Sequence, residues 1–451
     1  MVGLGLGIGL TRGGGAVPYD LPVAFSWTPP FTVFRTSAGT YSHDYSPVIP
    51  TGVEKHVDPT NGSNSNTGDS FAQAYKTTDQ AKNQSANIIR VYPSATGTVT
   101  YVDRLDGFRN NNFSRSTAVI CMGNPGDVIF DVGYPCDDFT WTQQGSPNTN
   151  VYSTTRANVS IVHDIANTQT GVYWQQENGG TNERSTIYSS QASIADCQAN
   201  EGSWYQDGST LYVHAIGGGE PNADQRIRTD ESIFRQSNSV NGVDSLDFYF
   251  YGTTGLGKDP IRVLLDDDAN NNANVSVIGC ASYEDNNAES TSFDNIPMLY
   301  IENIIAKDSI GDGVNIRATG SNTPQCHMLE VNSRTSDNGV SAQTNYNGTS
   351  LHNQVYAVRL GGVYQRSYGP IVSDSGTSEV VCLGVTAKDC IAVGATGGDD
   401  AGFRVSDSCI MWMQDCTTEG VLYDRTVNNS GVMYDLGGFN GSAGQDFGTV
   451  S

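Results

Sequence analysis

Basic residues are scarce in this sequence. Its 451 residues include 24 Lys and Arg against 48 Asp and Glu, so the formal net charge is -24 and the pI is near 4.4. A nucleic-acid-binding surface needs a basic stripe, and an anionic membrane surface attracts basic proteins. The composition therefore predicts no nucleic-acid partner. The acidic excess is typical either of a protein from a saline habitat or of an ordinary acidic extracellular surface.

A long apolar run is also missing. Residues 1–10 alternate Gly with apolar residues, but they include no basic residue and are far fewer than the roughly 20 that a membrane-spanning helix needs. Signal peptides begin with a basic region, which this segment lacks. We therefore expect neither a signal peptide nor membrane insertion.

Several catalytic and metal-binding motifs are absent. The nine Cys are an odd number with no Cys-x-x-Cys pair, which excludes a disulfide scaffold and a zinc site and favours Cys as small buried apolar side chains. The six His form no His-x-x-x-His pair, and no Gly-x-Ser-x-Gly elbow occurs. Zinc chemistry and acyl transfer therefore have no motif to support them.

Residues that favour strands and turns are abundant. The chain has 51 Gly and 22 Tyr, and Asp outnumbers Glu. A repeat is visible in the second half, where Ala306-Lys-Asp-Ser-Ile-Gly-Asp-Gly313 returns as Ala387-Lys-Asp-Cys-Ile-Ala-Val-Gly394. Glycines at positions 313, 339, 369, 394 and 420 extend the repeat at a nearly constant step. This regularity indicates a stacked repeat protein.

Each repeat contains short runs in which apolar residues alternate with other residues, as in Met298-Leu-Tyr-Ile-Glu302 and Val355-Tyr-Ala-Val-Arg-Leu360. Period-two patterning predicts strands and excludes helical repeats. We therefore predict an all-β fold, a parallel β-helix solenoid of about a dozen coils. Residues 137–157 and 177–230 break the period and are predicted to leave the rod as loops.

Equivalent residues of stacked coils form ladders along the axis. The repeat predicts that Asp308, Asp389 and Asp415 share one ladder and that Ser309, Cys390 and Cys416 share the next, with the small side chains inward. The repeated Gly is predicted to mark a tight corner with positive φ.

Two segments resemble pectate-lyase-like right-handed β-helix proteins. The first runs from His56 through the Asn/Gly/Ser-rich loop to Asp69 and on through Ala74–Ala81; the second is Gly202–His214. The resemblance implies a right-handed parallel β-helix over residues 51–440, with a short α-helix capping its N-terminal end and a C-terminal tail at 441–451. It implies less about activity, because polysaccharide lyases, hydrolases, epimerases and non-catalytic phage tailspikes share this fold.

Residues 1–50 carry no coil pattern, and their Gly/Leu-rich start is similar to that of tailed-phage structural proteins. An apolar start needs a burial partner, so we predict an attachment segment that binds other virion proteins; a loose terminus is the alternative. The resemblance implies a virion or extracellular location, a homotrimer, and contact with host-surface polysaccharide.

Candidate catalytic residues come from adjacent repeats. Polysaccharide lyases of the resembled fold combine a Lys or Arg base with acidic residues that hold Ca²⁺. Residues of these types that could lie within reach of one another are Lys307, Asp308, Asp312, Arg334 and Asp337. A turn-forming role for Asp308 competes with this hypothesis.

Carboxylate pairs for glycoside hydrolysis are available at Asp312 with Asp337 and at Asp374 with Glu379, although an acidic chain offers many such pairs. No cofactor is required by the sequence. Ca²⁺ is a candidate, with oxygen ligands in the weak site Asp266, Asp267 and Asp268, where a solvated acidic loop is the competing interpretation.

Aromatic side chains in loop-like stretches are candidates to stack on sugar rings, although core packing competes for each of them. They are Trp174, Trp204, Tyr205, Tyr364 and Tyr368. Two functional hypotheses follow: a phage tailspike, tail fibre or similar appendage that contacts host polysaccharide, or a polysaccharide lyase or glycoside hydrolase that acts on an extracellular glycan.

Overall fold

A computed structural model describes most of the chain. The described residues are 16–94, 100–103, 115–124, 126–131, 133–164, 186–229, 235–237, 246–256, 261–265, 272–283, 291–307, 309, 311–319, 326–339, 346–391, 399–444, 446–448 and 450. They are almost entirely β-structure. No helix in these ranges is long and apolar enough to cross a bilayer.

The chain winds through three sheets in a fixed order. Strand Met298–Glu302 lies in the first sheet, Ile305–Lys307 in the second and Val314–Ala318 in the third, and Cys326–Val331 then returns to the first. We call one such passage a circuit. Within each of the three sheets, all neighbouring strands pair in parallel, because every circuit runs in the same direction.

The three sheets contain 11, 9 and 9 strands. The first consists of Glu54–Val57, Ile88–Val91, Thr117–Cys121, Phe248–Tyr251, Asn274–Ile278, Met298–Glu302, Cys326–Val331, Val355–Leu360, Glu379–Leu383, Ile410–Gln414 and Val432–Asp435. The second consists of Thr100–Asp103, Val128–Asp131, Thr254–Leu256, Ala281–Tyr283, Ile305–Lys307, Arg334–Asn338, Val363–Ser367, Thr386–Lys388 and Thr417–Glu419. The third consists of Arg235–Ser237, Ile261–Leu264, Thr291–Asp294, Val314–Ala318, Thr349–Asn353, Val372–Asp374, Ala401–Val405, Tyr423–Val427 and Asp446–Phe447.

The main core lies between the three sheets. Successive side chains of a strand point to opposite faces, so every second residue faces inward. In Val355–Leu360, for example, Val355 and Ala357 join the central cluster, whereas Val358 and Leu360 belong to a second cluster on the outer face of the first sheet. The period-two pattern therefore fixes which residues fill the interior.

Strand register tests the predicted repeat. Ala306 aligns with Thr335, Tyr364 and then Ala387, as the repeat predicts. The predicted Asp ladder is wrong in one member, because Asp389 follows a strand of the second sheet and Asp415 follows a strand of the first. Asp308 lies outside the described residues.

Glycine is required at the predicted corner positions for two different structural reasons. Gly339 and Gly420 have positive φ values of 89° and 62°, as expected. Gly313 does not have a positive φ; a Cβ there would lie 2.6 Å from the carbonyl oxygen of Gly348, so close packing requires glycine. The prediction of a positive φ is therefore wrong for Gly313 and also for Gly369, and Gly394 lies outside the described residues.

A single left-handed residue makes the corner between the first and second sheets in consecutive circuits. The side chains that tolerate this conformation best are absent (Gly) or short and polar (Asn, Asp). The backbone N–H of each corner residue donates a hydrogen bond to a backbone carbonyl of the next circuit. The acceptor is the last residue of the first-sheet strand there or, for Asp415, Gly437 just after that strand. The positions are Gly252, Gly279, Asn303, Asn332, Gly361, Gly384 and Asp415.

The nine cysteines are all free thiols, and eight of them are buried. Burial raises the pKa of several, for example to about 12 for Cys326 and Cys382. They pack as small apolar side chains, as their spacing predicts. Cys416 points into the central core, whereas Cys390 is only partly buried.

The upstream end of the rod is closed by the helix Thr78–Asn83, which follows the 3-10 turn Phe71–Gln73. The Thr77 hydroxyl accepts a hydrogen bond from the Gln80 amide and caps the helix. Ala81 is fully buried in the central core beside the first strands of the first sheet. This helix lies where the resemblance to pectate-lyase-like proteins implies a capping helix.

The described residues of 134–229 lie outside the three sheets. They come between the second-sheet strand Val128–Asp131 and the third-sheet strand Arg235–Ser237 of one circuit. Two sheets form here. The first consists of Thr142–Gln143, Tyr152–Thr155, Thr210–His214, Ser203–Asp207 and Ser189–Ser190, and it is antiparallel except for the parallel pairing of its last two strands. The second is antiparallel and consists of Thr186–Ile187, Val159–Asp164, Gln225–Thr229 and Tyr134–Pro135. The helix Ile194–Ala199 and the 3-10 turn Cys136–Asp138 complete this unit, which has its own core. Much of what was predicted as loops is therefore a small side unit.

Residues 16–45 form a strap along the outer face of the first sheet. Its strands Val17–Tyr19, Val33–Arg35 and Tyr41–His43 make an antiparallel sheet, and its aromatic residues pack on outward side chains from several circuits. Phe25 contacts Trp412, and Tyr45 contacts Tyr300. The described part of the predicted attachment segment thus finds its burial partner within the same chain.

Candidate functional site

The five predicted catalytic residues do not form one group. Lys307 and Asp337 lie together on the second sheet, with Lys307 Nζ 3.7 Å from Asp337 Oδ2. Arg366 donates to the other oxygen of Asp337. Arg334 is exposed on the same sheet, in register with Ile305 and Val363.

Asp312 belongs to a different surface, at the start of a third-sheet strand. Its carboxylate accepts hydrogen bonds from the Asn347 amide N–H (2.6 Å), the Asn347 side chain (3.1 Å) and the Ser350 hydroxyl (2.5 Å). The side chain is nearly buried. The predicted site is therefore divided, because the turn after Lys307 carries the chain from the second sheet to the third.

The second predicted carboxylate pair is also divided. Asp374 is fully buried inside the rod, where it accepts from Arg359. Glu379 lies on the outside and accepts from the backbone and hydroxyl of Ser26 in the strap. Asp374 and Glu379 therefore cannot flank one glycosidic bond.

Two of the predicted sugar-stacking residues are buried in hydrophobic cores. Tyr364 is fully buried in the central core, because it occupies the inward position of its strand, and Trp204 is 9% exposed in the core of the side unit. Both predictions of an exposed aromatic are wrong. Tyr205 is partly exposed and stacks on Tyr212 of the neighbouring strand. Trp174 and the Asp266, Asp267 and Asp268 cluster lie outside the described residues.

The outer face of the third sheet is unusually polar. Its inward residues, such as Ile316 and Leu351, are apolar and buried in the core, so the residues between them face outward. Strand register aligns five of these outward residues in one row, which we call the serine row: Ser292, Asn315, Ser350, Ser373 and Arg404. At the strand spacing of about 4.8 Å the row spans about 19 Å.

A second row lies two residues further along the same strands. Asp294, Arg317, His352 and Ser375 occupy successive circuits, and we call them the charged row. Arg317 binds Asp294 through two hydrogen bonds of 3.0 and 3.2 Å. His352 Nδ1 is 3.1 Å from the Ser375 hydroxyl.

Asp312 joins the two rows. One of its oxygens accepts from Ser350 of the serine row, and the same oxygen is 3.9 Å from His352 Nε2 in the charged row. The His352 side chain is 38% exposed, whereas that of Asp312 is 6% exposed. A buried carboxylate therefore lies behind an accessible imidazole.

Arg404 follows Ser373 in the serine row, and the register continues to Thr426 on the next strand. Its guanidinium donates to the Ser373 hydroxyl at 3.0 Å and to Asp399 at 3.0 Å. Burial lowers the pKa of Arg404, and the charges of Asp399 and Asp312 oppose that shift. The other members of the serine row, Ser292, Asn315, Ser350 and Ser373, are buried. The partly exposed polar groups of this face are therefore Arg404 and the charged row.

Two tyrosines stand at the corner that leads into this face. A Cβ on Gly339 would lie 2.9 Å from Cβ of Tyr346 and 3.1 Å from Cβ of Tyr368, so both tyrosines flank this glycine. Both are half-buried. Tyr368 was a predicted sugar-stacking residue, and Tyr346 was not.

His352, Ser375, Arg317 and Arg404 were not predicted as site residues. The sequence does contain a pattern that indicates their outward positions, because polar residues stand between apolar ones in the third-sheet strands, as in Val314-Asn-Ile-Arg317 and Leu351-His352. Aligning these strands rather than the glycines would have placed the polar residues in rows. Among the residues that the structure describes, no three His, Cys, Asp or Glu side chains group as metal ligands.

No family model matches the sequence, and no curated protein matches it. Among solved structures, a complex of XylC with xylose is 10% identical, with a TM-score of 0.45 over 85% of this chain and 65% of the other. A GH136 lacto-N-biosidase from Eubacterium ramulus is 7% identical, with a TM-score of 0.25 over 87% of this chain and 67% of the other.

The Gp54 tailspike of Acinetobacter baumannii bacteriophage AP22, in complex with capsular saccharide, is 7% identical, with a TM-score of 0.22 over 82% of this chain and 65% of that one. This chain spans about two thirds of the length of these three structures. Likenesses this distant do not assign a function.

Proposed function

We propose that the chain is a right-handed parallel β-helix that binds a polysaccharide on the outer face of its third sheet. The observation that carries this proposal is the charged row together with Arg404, because these side chains are partly exposed. A glycan offers hydroxyl groups at regular intervals, and the charged, imidazole and hydroxyl groups of the charged row offer hydrogen-bond partners at the strand spacing.

The other faces fit this role less well. The strap covers outward residues of the first sheet, such as Tyr300 and Trp412, and the second sheet has a small apolar cluster around Tyr283. Half-buried Tyr346 and Tyr368 at the corner of the third sheet add aromatic surface of the kind that stacks on sugar rings.

Arg317→Ala tests the site. Arg317 is 30% exposed in the charged row, so removal of its guanidinium should weaken glycan binding by about 10-fold or more, as expected for hydrogen bonds to a charged group. The matched control is Arg366→Ala, which removes a more exposed arginine that also pairs with an aspartate, but on the second sheet.

Binding is measured by titrating immobilised bacterial surface polysaccharides with each variant. Equal weakening by both substitutions would contradict a site on the third sheet. Retention of full affinity by Arg317→Ala would contradict it as well.

For the biological context, we propose a virion appendage of a tailed phage, a tailspike or tail fibre that acts as a homotrimer outside the cell. The described chain begins at the strap, where the Tyr19 hydroxyl donates to Gln414 near the downstream end of the rod. If residues 1–15 attach to a particle, that end of the rod faces the particle and the capped end points away.

Deletion of residues 1–15 should abolish co-purification with particles while leaving the strap in place. Particles that still carry the shortened chain would contradict this attachment. The mass of the full chain in solution tests the trimer.

Polysaccharide lyase or hydrolase activity is the second candidate. It is favoured by the contact between Lys307 and Asp337, because a base beside a carboxylate is part of the chemistry of uronate elimination. Turnover of acidic glycans should then be lost in Lys307→Met and Asp337→Asn. Turnover that survives both substitutions would exclude this pair.

A further inference from the structure

The geometry points to an ester-hydrolysing site in which Ser375 is the nucleophile, His352 is the general base and Asp312 orients the histidine. This activity goes beyond glycan binding. Its chemistry does not depend on the proposed function, although the expected natural substrate, an O-acylated polysaccharide, does.

The three residues come from adjacent circuits and converge on one imidazole. The Ser375 hydroxyl lies 3.1 Å from His352 Nδ1, which is hydrogen-bond distance between a nucleophile and its base. Asp312 Oδ2 lies 3.9 Å from His352 Nε2 on the opposite side of the ring. A hydroxyl, an imidazole and a carboxylate in this order are the parts of a catalytic triad, and triads are identified by geometry rather than by chain order.

Asp312 selects the reactive form of His352. The carboxylate attracts a proton on Nε2 and repels a bare nitrogen lone pair, so it favours the neutral tautomer that carries hydrogen on Nε2. Nδ1 is then an acceptor facing the Ser375 hydroxyl. At 3.9 Å this is an electrostatic bias rather than a hydrogen bond, and such contacts often tighten only when substrate binds.

The surroundings hold Asp312 in place. Three hydrogen bonds from Asn347 and Ser350 fix its carboxylate, and its side chain is 6% exposed. The Ser375 hydroxyl has a second neighbour at 3.2 Å, the carbonyl oxygen of Leu351, to which it donates a hydrogen bond in the resting arrangement. A small rotation of the hydroxyl toward Nδ1 therefore prepares the nucleophile.

The reaction follows from these positions. Ser375 Oγ attacks the ester carbonyl carbon while its proton passes to His352 Nδ1. The bond between that carbon and the alkoxy oxygen then breaks, and the leaving alcohol takes the proton from Nδ1. Water attacks the acyl-serine with His352 again accepting the proton, the carboxylic acid is released, and Ser375 recovers its hydrogen.

The first experiment uses a fluorophosphonate probe, which labels activated serines, on the full chain. The modified peptide is identified by mass spectrometry. We expect the adduct on Ser375 and loss of labelling in His352→Gln. Ser406→Ala is the matched control, because Ser406 follows the next third-sheet strand at the equivalent position and is expected to leave labelling unchanged.

The second experiment measures hydrolysis of p-nitrophenyl acetate. Ser375→Ala and His352→Gln should each lower the rate at least ~100-fold, and Asp312→Asn should lower it at least ~10-fold and change its pH profile. Circular dichroism confirms that each variant keeps its strands.

A wild-type chain that carries no adduct on Ser375, or that hydrolyses the ester no faster than Ser375→Ala, would overturn the proposal. Glycan binding is measured on the same preparations. Loss of p-nitrophenyl acetate hydrolysis in Ser375→Ala would support the active site whatever the glycan affinity of that variant, because this ester contains no glycan.

Discussion

Replacement of Arg359 by Met should destabilise the rod more than any surface substitution. Arg359 is fully buried between circuits, where it donates to Glu330 at 3.1 Å and to Asp374 at 2.6 and 3.0 Å. Burial alone would lower the pKa of Arg359, but Asp374 and Glu330 outweigh it and hold the pKa well above its ordinary value. The guanidinium is therefore charged, and it neutralises two buried carboxylates.

The magnitude follows from what the substitution leaves behind. Met fills a similar space, so little packing is lost, but Glu330 and Asp374 lose their counter-charge inside the core. Removing one partner of a buried ion pair costs about 3–5 kcal/mol. The folding equilibrium should therefore shift by about two to four orders of magnitude.

Equilibrium urea unfolding, followed by intrinsic fluorescence and circular dichroism, measures this change. The control is a triple variant, Glu330→Gln, Arg359→Met and Asp374→Asn, which removes all three charges and should recover much of the loss. An Arg359→Met protein within about 1 kcal/mol of wild type, or a triple variant no more stable than the single one, would refute the reasoning.

Three further predictions concern the strap and the packing of the circuits. Burial lowers the pKa of His43 in the strap and of His327 beneath it, and the charges of Glu302 and Asp44 partly oppose the shift at His43. The contribution of the two histidines to stability is therefore present above about pH 6.5 and is lost as the pH falls toward their folded pKa values. Hydrogen exchange of residues 16–45, corrected for its intrinsic pH dependence, should therefore accelerate as the pH falls from 7.5 to 5.5. The acceleration should be smaller in the double variant His43→Gln, His327→Gln. A corrected exchange rate that does not vary with pH would contradict this prediction. Asp415→Asn removes the charged acceptor of Arg35 and Tyr41, so exchange in the strap should also accelerate at constant pH, whereas Asp435→Asn should leave it unchanged. Gly313→Ala should lower the melting temperature, because the new Cβ would lie 2.6 Å from the Gly348 carbonyl oxygen. The control is Gly145→Ala, whose Cβ would have no atom within 4 Å, and equal melting temperatures of the two variants would refute the close packing at Gly313.

The strands of the rod could be predicted because they depend on local pattern. Val355–Leu360 is visible in the sequence as a short apolar run of the kind that forms buried strands, and the alignment of Ala306 with Ala387 could be found from a repeated peptide. Asp415 was misplaced because Asp can make a left-handed corner in more than one part of a circuit, and residue type alone does not say which.

The candidate site could not be predicted in the same way. Asp312, His352 and Ser375 are brought together by parallel stacking across three circuits of unequal length, so no motif spacing connects them. The burial of Tyr364 was missed for the opposite reason. An inward and an outward position are one residue apart, and the register of a short strand was not known.

The interior ion pairs and the outer rows are two sides of the same strands. Arg359 donates to Thr349, which lies on the strand of His352, and to Asp374, which immediately precedes Ser375. The buried guanidinium therefore fixes the register of the two strands that bring His352 and Ser375 within 3.1 Å of each other. Arg359→Lys keeps the charge but cannot form the same set of hydrogen bonds. We expect this variant to remain folded and to lose labelling of Ser375 by a fluorophosphonate probe; full labelling would show that the outer geometry does not depend on the interior ion pairs.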